Sequence, residues 1–399
     1  MEKAQLLDLP AELLHHIFHY CDAVTILCRI SSVCKRLRAV AHEYNRIQLK
    51  FKSRYSTQPF HSVVPSSVTS LDITFSCIDT EETEIQYMIA EILRFPQFPQ
   101  LRHLILHCYY DFQLKQFLKS VKHMQPILLE IDIDSEDQPS VETCSLILPM
   151  IQHPKLQKLK WTKLNYKVEM MLWPHDCNLV YLEMNSCLYS QYSIILQRLS
   201  NLETFRLNKI LMDNMKMFDM KLNSRLTCLI IEDCVLSTED LLLLLSKTPA
   251  LRHLKLGFQS MKLDSIMVIS DWEQFIRTHL NFLITFQFYI CYDFSLNDIV
   301  SLDVLIVPFQ NSFWLEEKHW FVACEYLFSR YRSKENKILL YTVPKFFNVR
   351  HNYNDFHGIL FKQNNYYITN YERGILIDNI RCDVNIFSST MYRNLIYLI

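Results

Sequence analysis

Glycine is nearly absent from this chain, with 3 residues among 399, at positions 257, 358 and 374. Phosphate-cradling loops and dinucleotide fingerprints need several closely spaced glycines, because the backbone must approach the ligand or take positive φ. Those nucleotide-binding classes are therefore excluded. An excess of charge is also missing: 41 Lys and Arg stand against 42 Asp and Glu, for a net charge of −1. With half the residues hydrophobic, neither disorder nor a basic nucleic-acid surface is indicated. The densest apolar stretches, LTCLIIEDCVL and LLLLL, are interrupted by Glu232, Asp233, Ser246 and Lys247. They fall short of the roughly 18 apolar residues a membrane span needs, so no membrane partner is expected.

The opening MEKAQLLDLP has no long apolar run behind a basic start, so no secretory leader is expected and the chain is assigned to cytoplasm, nucleus or both. The 13 cysteines are scattered singly from Cys21 to Cys382. In that setting they are expected to stay reduced and to serve as small core residues. Chemical constellations are missing too. Glu316-Glu317-Lys318-His319 sets carboxylates beside an imidazole but lacks the paired histidines of a helical zinc protease. His15, His16 and His19 lie near Cys21 without a Cys pair to complete a tetrahedral site. No catalytic residue, metal ligand or cofactor is predicted, and the chain is read as a binding protein, not an enzyme.

What the sequence does contain is a repeat. The pattern Leu-x-x-Leu-x-Leu recurs at Leu101-Leu104-Leu106, Leu156-Leu159-Trp161, Leu179-Leu182-Met184, Leu202-Phe205-Leu207, Leu226-Leu229-Ile231 and Leu251-Leu254-Leu256. Weaker copies stand at Val68-Leu71-Ile73, Leu128-Ile131-Ile133 and Leu283-Phe286-Phe288. Repeats of this length build stacked solenoids whose open face holds another macromolecule. Between copies the period often changes from 2 to 3.6, predicting helices over 84–95, 191–199, 239–246 and 271–280, with Pro96, Pro99, Pro154 and Pro249 closing them before the next strand.

The series resembles the leucine-rich repeat, which implies an α/β horseshoe of roughly nine strands over residues 68–290, with strands on the concave side and helices outside. The side chains between the consensus positions then face the concave surface. Among them Tyr181, Arg206 and Arg252 are the preferred contacts for a protein substrate, since aromatic and Arg side chains anchor interfaces. The plain alternative is an ordinary solvated face with cross-strand pairing.

The first fifty residues do not follow the repeat. Leu9-Pro10-Ala11-Glu12 starts a helix well, with Pro10 in the first turn and Glu12 near the positive end of the dipole. Leu13, Leu14, Ile17 and Phe18 form its apolar face. Asp22 is a cap for a second short helix, and Ser31 or Ser32 for a third carrying Val33, Leu37 and Val40. The run LLDLPAELLHHIFHYCDAVTILCRISSVCKRLRAVAHEY resembles an F-box, through Leu9-Pro10, Glu12-Leu13-Leu14, Ile17-Phe18, Tyr20 and Ser32-Val33-Cys34-Lys35-Arg36-Leu37. Leu37 replaces a commonly aromatic residue, and Asp22-Ala23 replaces an acidic-Pro pair.

The resemblance implies docking to the Skp-type adaptor of a cullin–RING ubiquitin ligase through Leu9, Pro10, Leu13, Ile17, Val33, Cys34 and Leu37. The alternative for each is a place in the module's own core. The whole chain thus reads as a three-helix F-box-like module (5–50), a junction (51–67), leucine-rich repeats (68–290) and an aromatic-rich cap (291–399). Phe313, Trp314, Trp320, Phe321 and Phe328 either close the last repeat or line a substrate pocket. The function implied is a substrate receptor of an SCF-type ligase; the rival is a repeat scaffold that never joins one.

Overall fold

The computed structural model describes residues 6–23, 25–52, 65–75, 85–86, 89–90, 98–121, 124–133, 139–162, 173–174, 177–213, 225–258, 272–294, 302–329 and 336–343, and the backbone of 356–363 and 366–370. The chain forms two compact units, Met1–Cys187 with Gln191–Thr204, and Leu188–Ser190 with Phe205–Ile399.

The first unit begins with a helical module. After a 3-10 turn at Leu6–Asp8, helix α1 spans Ala11–Phe18 with Pro10 at its N-cap. The Asp22 carboxylate then accepts from the Thr25 amide at 2.8 Å and its hydroxyl at 2.9 Å, opening a π-helical turn, Thr25–Ile30. That turn runs into Ser31–Val33, and helix α2 follows at Lys35–Glu43. The cap of α2 is not a serine. Ser31 and Ser32 turn back to the Leu27 and Arg29 carbonyls, as hydroxyls within helical turns do, and Cys34 takes the extended backbone of the cap. Its Sγ accepts from the Leu37 amide at 3.4 Å. Leu14, Phe18, Ile26, Leu27, Leu37, Val40, Ala41 and Tyr44 are buried, with Tyr44 edge-on to Phe18 at 5.8 Å.

Six parallel strands follow: β1 Ile47–Lys52, β2 Val68–Thr74, β3 His103–Cys108, β4 Leu128–Ile133, β5 Lys158–Trp161 and β6 Tyr181–Leu188. Parallel neighbours require a crossover. Helices α3, Asp111–Ser120, and α4, Val141–Ile151, lie in two of these. Gln113, fully buried, caps α3 by accepting from the Tyr109 and Tyr110 amides at 2.7 and 3.0 Å. Glu142 of α4 meets Lys115 and Lys119 of α3 at 3.1 and 2.8 Å. The helix expected over 84–95 lies mostly outside the described residues; Ile85 and Ile89 are buried.

The register aligns the repeat side by side. Leu49, Leu71, Leu104, Leu129, Leu159 and Leu182 are successive Cα partners, and Phe51, Ile73, Leu106, Ile131, Trp161 and Met184 form the next row. All twelve are buried. Two corrections follow. The weak copy Leu128-Ile131-Ile133 is shifted by two residues: Leu129 and Ile131 pair with Leu104 and Leu106, so buried Pro126 holds the first position. And the sheet starts before residue 68, because β1 continues the rows at Leu49 and Phe51, within what the sequence suggested was the module and its junction.

The second unit holds β7 Thr204–Leu211, β8 Cys228–Cys234, β9 His253–Phe258 and β10 Thr285–Phe294. Helices α6, Thr238–Ser246, and α7, Trp272–His279, carry the crossovers; α5, Tyr189–Arg198, belongs from Gln191 onward to the first unit. Among the described residues, β2 to β10 are nine strands in a repetitive β/α arrangement.

Beyond β10 the pairing becomes antiparallel, in the order β10-β12-β11-β13-β14, with β11 Phe321–Ser329, β12 Asn336–Val343, β13 Phe356–Gln363 and β14 Tyr366–Asn370. Antiparallel strands need no crossover helix, which is why the strand–helix period fades after Phe288. Here the face opposite the helices turns apolar: Tyr289, Cys291, Ala323, Leu327, Leu339 and Tyr341 form a buried cluster. Gly257, the Cα partner of Tyr289, leaves room on β9 for that ring.

On the other face Phe286 stacks with Trp272 at 4.9 Å and meets Trp314 and Trp320 at 6.1 and 5.8 Å, while Phe288 meets Phe309 at 5.4 Å. Phe313 is buried beside Trp314 and Trp320, and Phe321 is half-buried. The Phe328 side chain lies outside the described residues.

The register makes adjacent leucines unequal. Leu129→Ala should destabilise the chain by about 2–5 kcal/mol, as a core truncation does, whereas Leu128→Ala on the half-buried face should cost less than about 1 kcal/mol. Chemical denaturation of both variants checks this; equal losses would reject the register.

Candidate functional site

Helix α1 divides its apolar residues between two faces. Leu14 and Phe18 enter the module core, while Leu13 and Ile17, one turn apart, remain 49 % and 38 % exposed. Pro10 is exposed at the start of the helix and Leu9 is half-buried. Val33 is 67 % exposed at the end of its helical turn, and Tyr20, just past α1, is 89 % exposed. Exposing several large apolar side chains on so small a module costs solubility unless a partner covers them. Tyr20 was absent from the predicted docking residues, yet its position three residues after Ile17 was a readable signal.

Two predicted residues have roles inside the module. Leu37 is 2 % exposed and is corrected from docking surface to core: with Val40 and Ala41 it forms the buried stripe of α2. Cys34 is half-buried and caps the same helix. Arg36 ties the segment before α1 to α2, donating to the Leu7 carbonyl and, at 2.7 Å, to the Leu9 carbonyl. It thereby fixes the backbone beside Leu9 and Pro10. His15 is occupied structurally, with Nε2 3.3 Å from the Val40 carbonyl and its ring 5.4 Å from Tyr44.

The second candidate surface is the strand face away from the core. Tyr181 belongs to the first unit; it is half-buried and donates to Glu183, two residues along β6. Arg206 and Arg252 belong to the second. Arg206 donates from Nε and Nη2 to one Glu232 oxygen at 3.2 and 2.6 Å. A half-exposed pair of this kind contributes roughly 0–1 kcal/mol, so the guanidinium is positioned but not locked. Arg252 is exposed just ahead of β9; its amide donates to Thr227 at 2.8 Å and its carbonyl accepts from Ile284 and Thr285.

On the first unit the same face carries a chain of acidic and basic side chains joined through His107. Lys50 lies 3.7 Å from Asp72, His107 stands 3.9 Å from Asp72 and 3.6 Å from Asp132, and Thr162 donates to Asp132 at 2.6 Å. Lys160 meets Glu130 at 3.3 Å.

Segments resembling chemical sites serve packing. Glu317 binds Arg277 of α7 at 2.5 and 2.9 Å, which holds its carboxyl below the usual range. Lys318 donates to the Leu283 carbonyl at 2.9 Å, and Trp320 Nε1 to Ile284 at 3.2 Å. His319 takes φ 55° between them, with Nδ1 3.0 Å from the Leu315 carbonyl. Among the described residues no group of three or more His, Cys, Asp or Glu side chains is placed to hold a metal ion, and the cysteines form no disulfide. Burial pushes the Cys144 thiol up to about 11 and Cys234 to about 12, and raises Cys108 and Cys324 further. Such thiols are poor nucleophiles at neutral pH.

The family described as F-box-like matches residues 6–47, the span from the first turn through α2 to the first residue of β1. These residues form an F-box-like domain, a type of protein-interaction module. No curated protein matches the chain.

The division of the helical module into inner and outer residues has a thermal consequence. Leu37→Ala should lower module stability by about 2–5 kcal/mol, and Val33→Ala should stay within about 0.5 kcal/mol of the parent. Unfolding followed by circular dichroism compares them; a Val33→Ala loss as large as that of Leu37→Ala would reject the assignment.

Proposed function

We propose that this chain is the substrate-recognition subunit of an SCF-type ubiquitin ligase. In this reading the F-box-like domain docks to a Skp-type adaptor, and through it to the cullin–RING core. The β/α units, read as leucine-rich repeats, hold a protein substrate. The observation that carries the proposal is the exposure of Leu13, Ile17 and Val33 on an F-box-like domain whose core is already filled by Leu14, Phe18, Leu37 and Tyr44. Pro10, with Leu9 steadied by Arg36, extends that apolar surface. Burying Leu13, Ile17 and Val33 against a partner removes the apolar area the fold leaves in water, at ~25 cal/mol for each Å².

The chain would then perform no covalent chemistry. Holding a substrate lysine beside a charged conjugating enzyme raises the effective concentration of the reacting groups, which is sufficient to accelerate transfer. The working place consistent with this role is the cytoplasm, the nucleus or both. Tyr181, Arg206 and Arg252 are the proposed substrate contacts, each on the strand face of its own unit.

The full-length chain should capture a purified Skp-type adaptor. Ile17→Asp, or Leu9→Ala with Pro10→Ala, should weaken capture by ~2 kcal/mol or more, the scale of an interface anchor, without loss of helical signal. Failure of the folded parent chain to bind the adaptor would overturn the ligase reading.

A further inference from the structure

We propose that the strand-entry edge of the first unit, where Arg102, His103 and Lys158 surround Leu128 and Tyr181, binds a protein segment in which Asp or Glu side chains alternate with apolar ones. The inference deepens the reading above and rests on its assignment of the strand face to partner binding. Two rows of the sheet build this edge. His103, Leu128, Lys158 and Tyr181 are successive Cα partners on β3 to β6. The preceding row runs through Arg102, Ile127, Gln157 and Val180: the Arg102 carbonyl accepts from the Ile127 amide at 2.8 Å, Ile127 from Gln157 at 2.9 Å and Gln157 from Val180 at 2.8 Å.

Composition alternates along these rows. The entries of β3 and β5 carry exposed Arg102, just ahead of β3, with His103 and Lys158, while those of β4 and β6 carry half-buried Leu128 and Tyr181 and, just ahead of them, Ile127 and Val180. Parallel strands lie about 4.8 Å apart, so the cationic groups of β3 and β5 stand roughly 10 Å from one another, a span covered by three residues of extended chain.

Charge is what distinguishes this edge from the rest of the face. Two residues further along the strands, acids and bases already satisfy one another, as Lys50 with Asp72 and Lys160 with Glu130 do, and Glu183 receives the Tyr181 hydroxyl. At the entry edge, Arg102, His103 and Lys158 have no ion pair among the described residues. They act on each other instead: the His103 imidazole is held below its ordinary pKa, first by desolvation and then by Lys158 and Arg102. Further along the preceding row Glu203 follows Val180, its amide donating to the Val180 carbonyl at 2.9 Å. Two exposed cations, Arg102 and Lys158, set with the His103 imidazole among apolar side chains, are complementary to carboxylates carried on an apolar-containing segment. A long polyanion fits less well, because Asp72, Glu130 and Asp132 lie on the same face within two rows and would repel it.

The test uses the full chain and a fluorescent twelve-residue peptide of alternating Glu and Leu, with Gln–Leu and Lys–Leu peptides of equal length and a single-stranded oligonucleotide of matching charge. The Glu–Leu peptide should bind in a salt-sensitive manner and above the others. Arg102→Glu with Lys158→Glu should reduce its affinity about ten-fold or more. Arg102→Lys with Lys158→Arg should retain it, as should Lys52→Glu at the opposite edge of the face. No binding of the Glu–Leu peptide, equal binding of the Gln–Leu peptide, tighter binding of the oligonucleotide, or undiminished binding by the charge-reversed variant would each overturn the proposal. Adaptor capture measured on the same preparations separates the two readings: peptide binding without adaptor capture sinks the ligase role alone, and the converse sinks this inference alone.

Discussion

The constraint on which the first unit depends is the parallel register that sets one leucine of every strand beside the next. Leu49, Leu71, Leu104, Leu129, Leu159 and Leu182 form a single buried row. A strand has a side-chain period of two, so a slip of one residue would exchange the buried and open faces of that strand entirely. The row therefore fixes two things together: which residues make the core, and which are available to a partner. The ion pairs of Lys50, Asp72, Glu130 and Lys160 lie one position along and follow from the same alignment.

The second unit shows what happens when the constraint is relaxed. After β10 the strands pair antiparallel, crossover helices are no longer required, and both faces of the sheet take up apolar residues. The aromatic segment around Phe313, Trp314 and Trp320 then covers the helix-side face of β10 and is fastened by Lys318 and Trp320 to carbonyls at the strand's entry. Without that segment Phe286 would lose its ring contacts with Trp314 and Trp320.

Much of this was legible from the residues. The strong copies of Leu-x-x-Leu-x-Leu state the strand positions directly, and Leu182, Leu207 and Leu254 are buried, while Tyr181 and Arg206 are half-buried and Arg252 is exposed. The Leu128 copy misled because Leu128 and Leu129 are adjacent and both apolar, so the pattern alone does not choose between them; only pairing with Leu104 does. The strand β1 was hidden by its closeness to the helices, although Ile47-x-Leu49-x-Phe51 alternates strictly. In the F-box-like domain the exposed Leu13, Ile17 and Val33 follow from the resemblance, but Leu37 does not: its spacing with Val40 and Ala41 already marked it as a core residue. The cap of α2 was assigned to serine by propensity, and the structure uses a thiol because Ser31 and Ser32 are still within the preceding turn.

The shortness of the connection between α2 and β1 has a consequence of its own. Only Tyr44, Asn45 and Arg46 separate Glu43 from Ile47, and Tyr44 is buried. Such a leash spans no more than roughly 14 Å even when straight. Whatever grips the helical module therefore carries the first strand of the sheet with it, and a molecule held on that sheet has little room to wander. The local concentration of two tethered bodies falls steeply as their leash lengthens, and here the leash is close to the shortest that two separate elements allow. If the sheet holds a target, as proposed, such a joint would favour those whose reactive groups sit within a narrow radius.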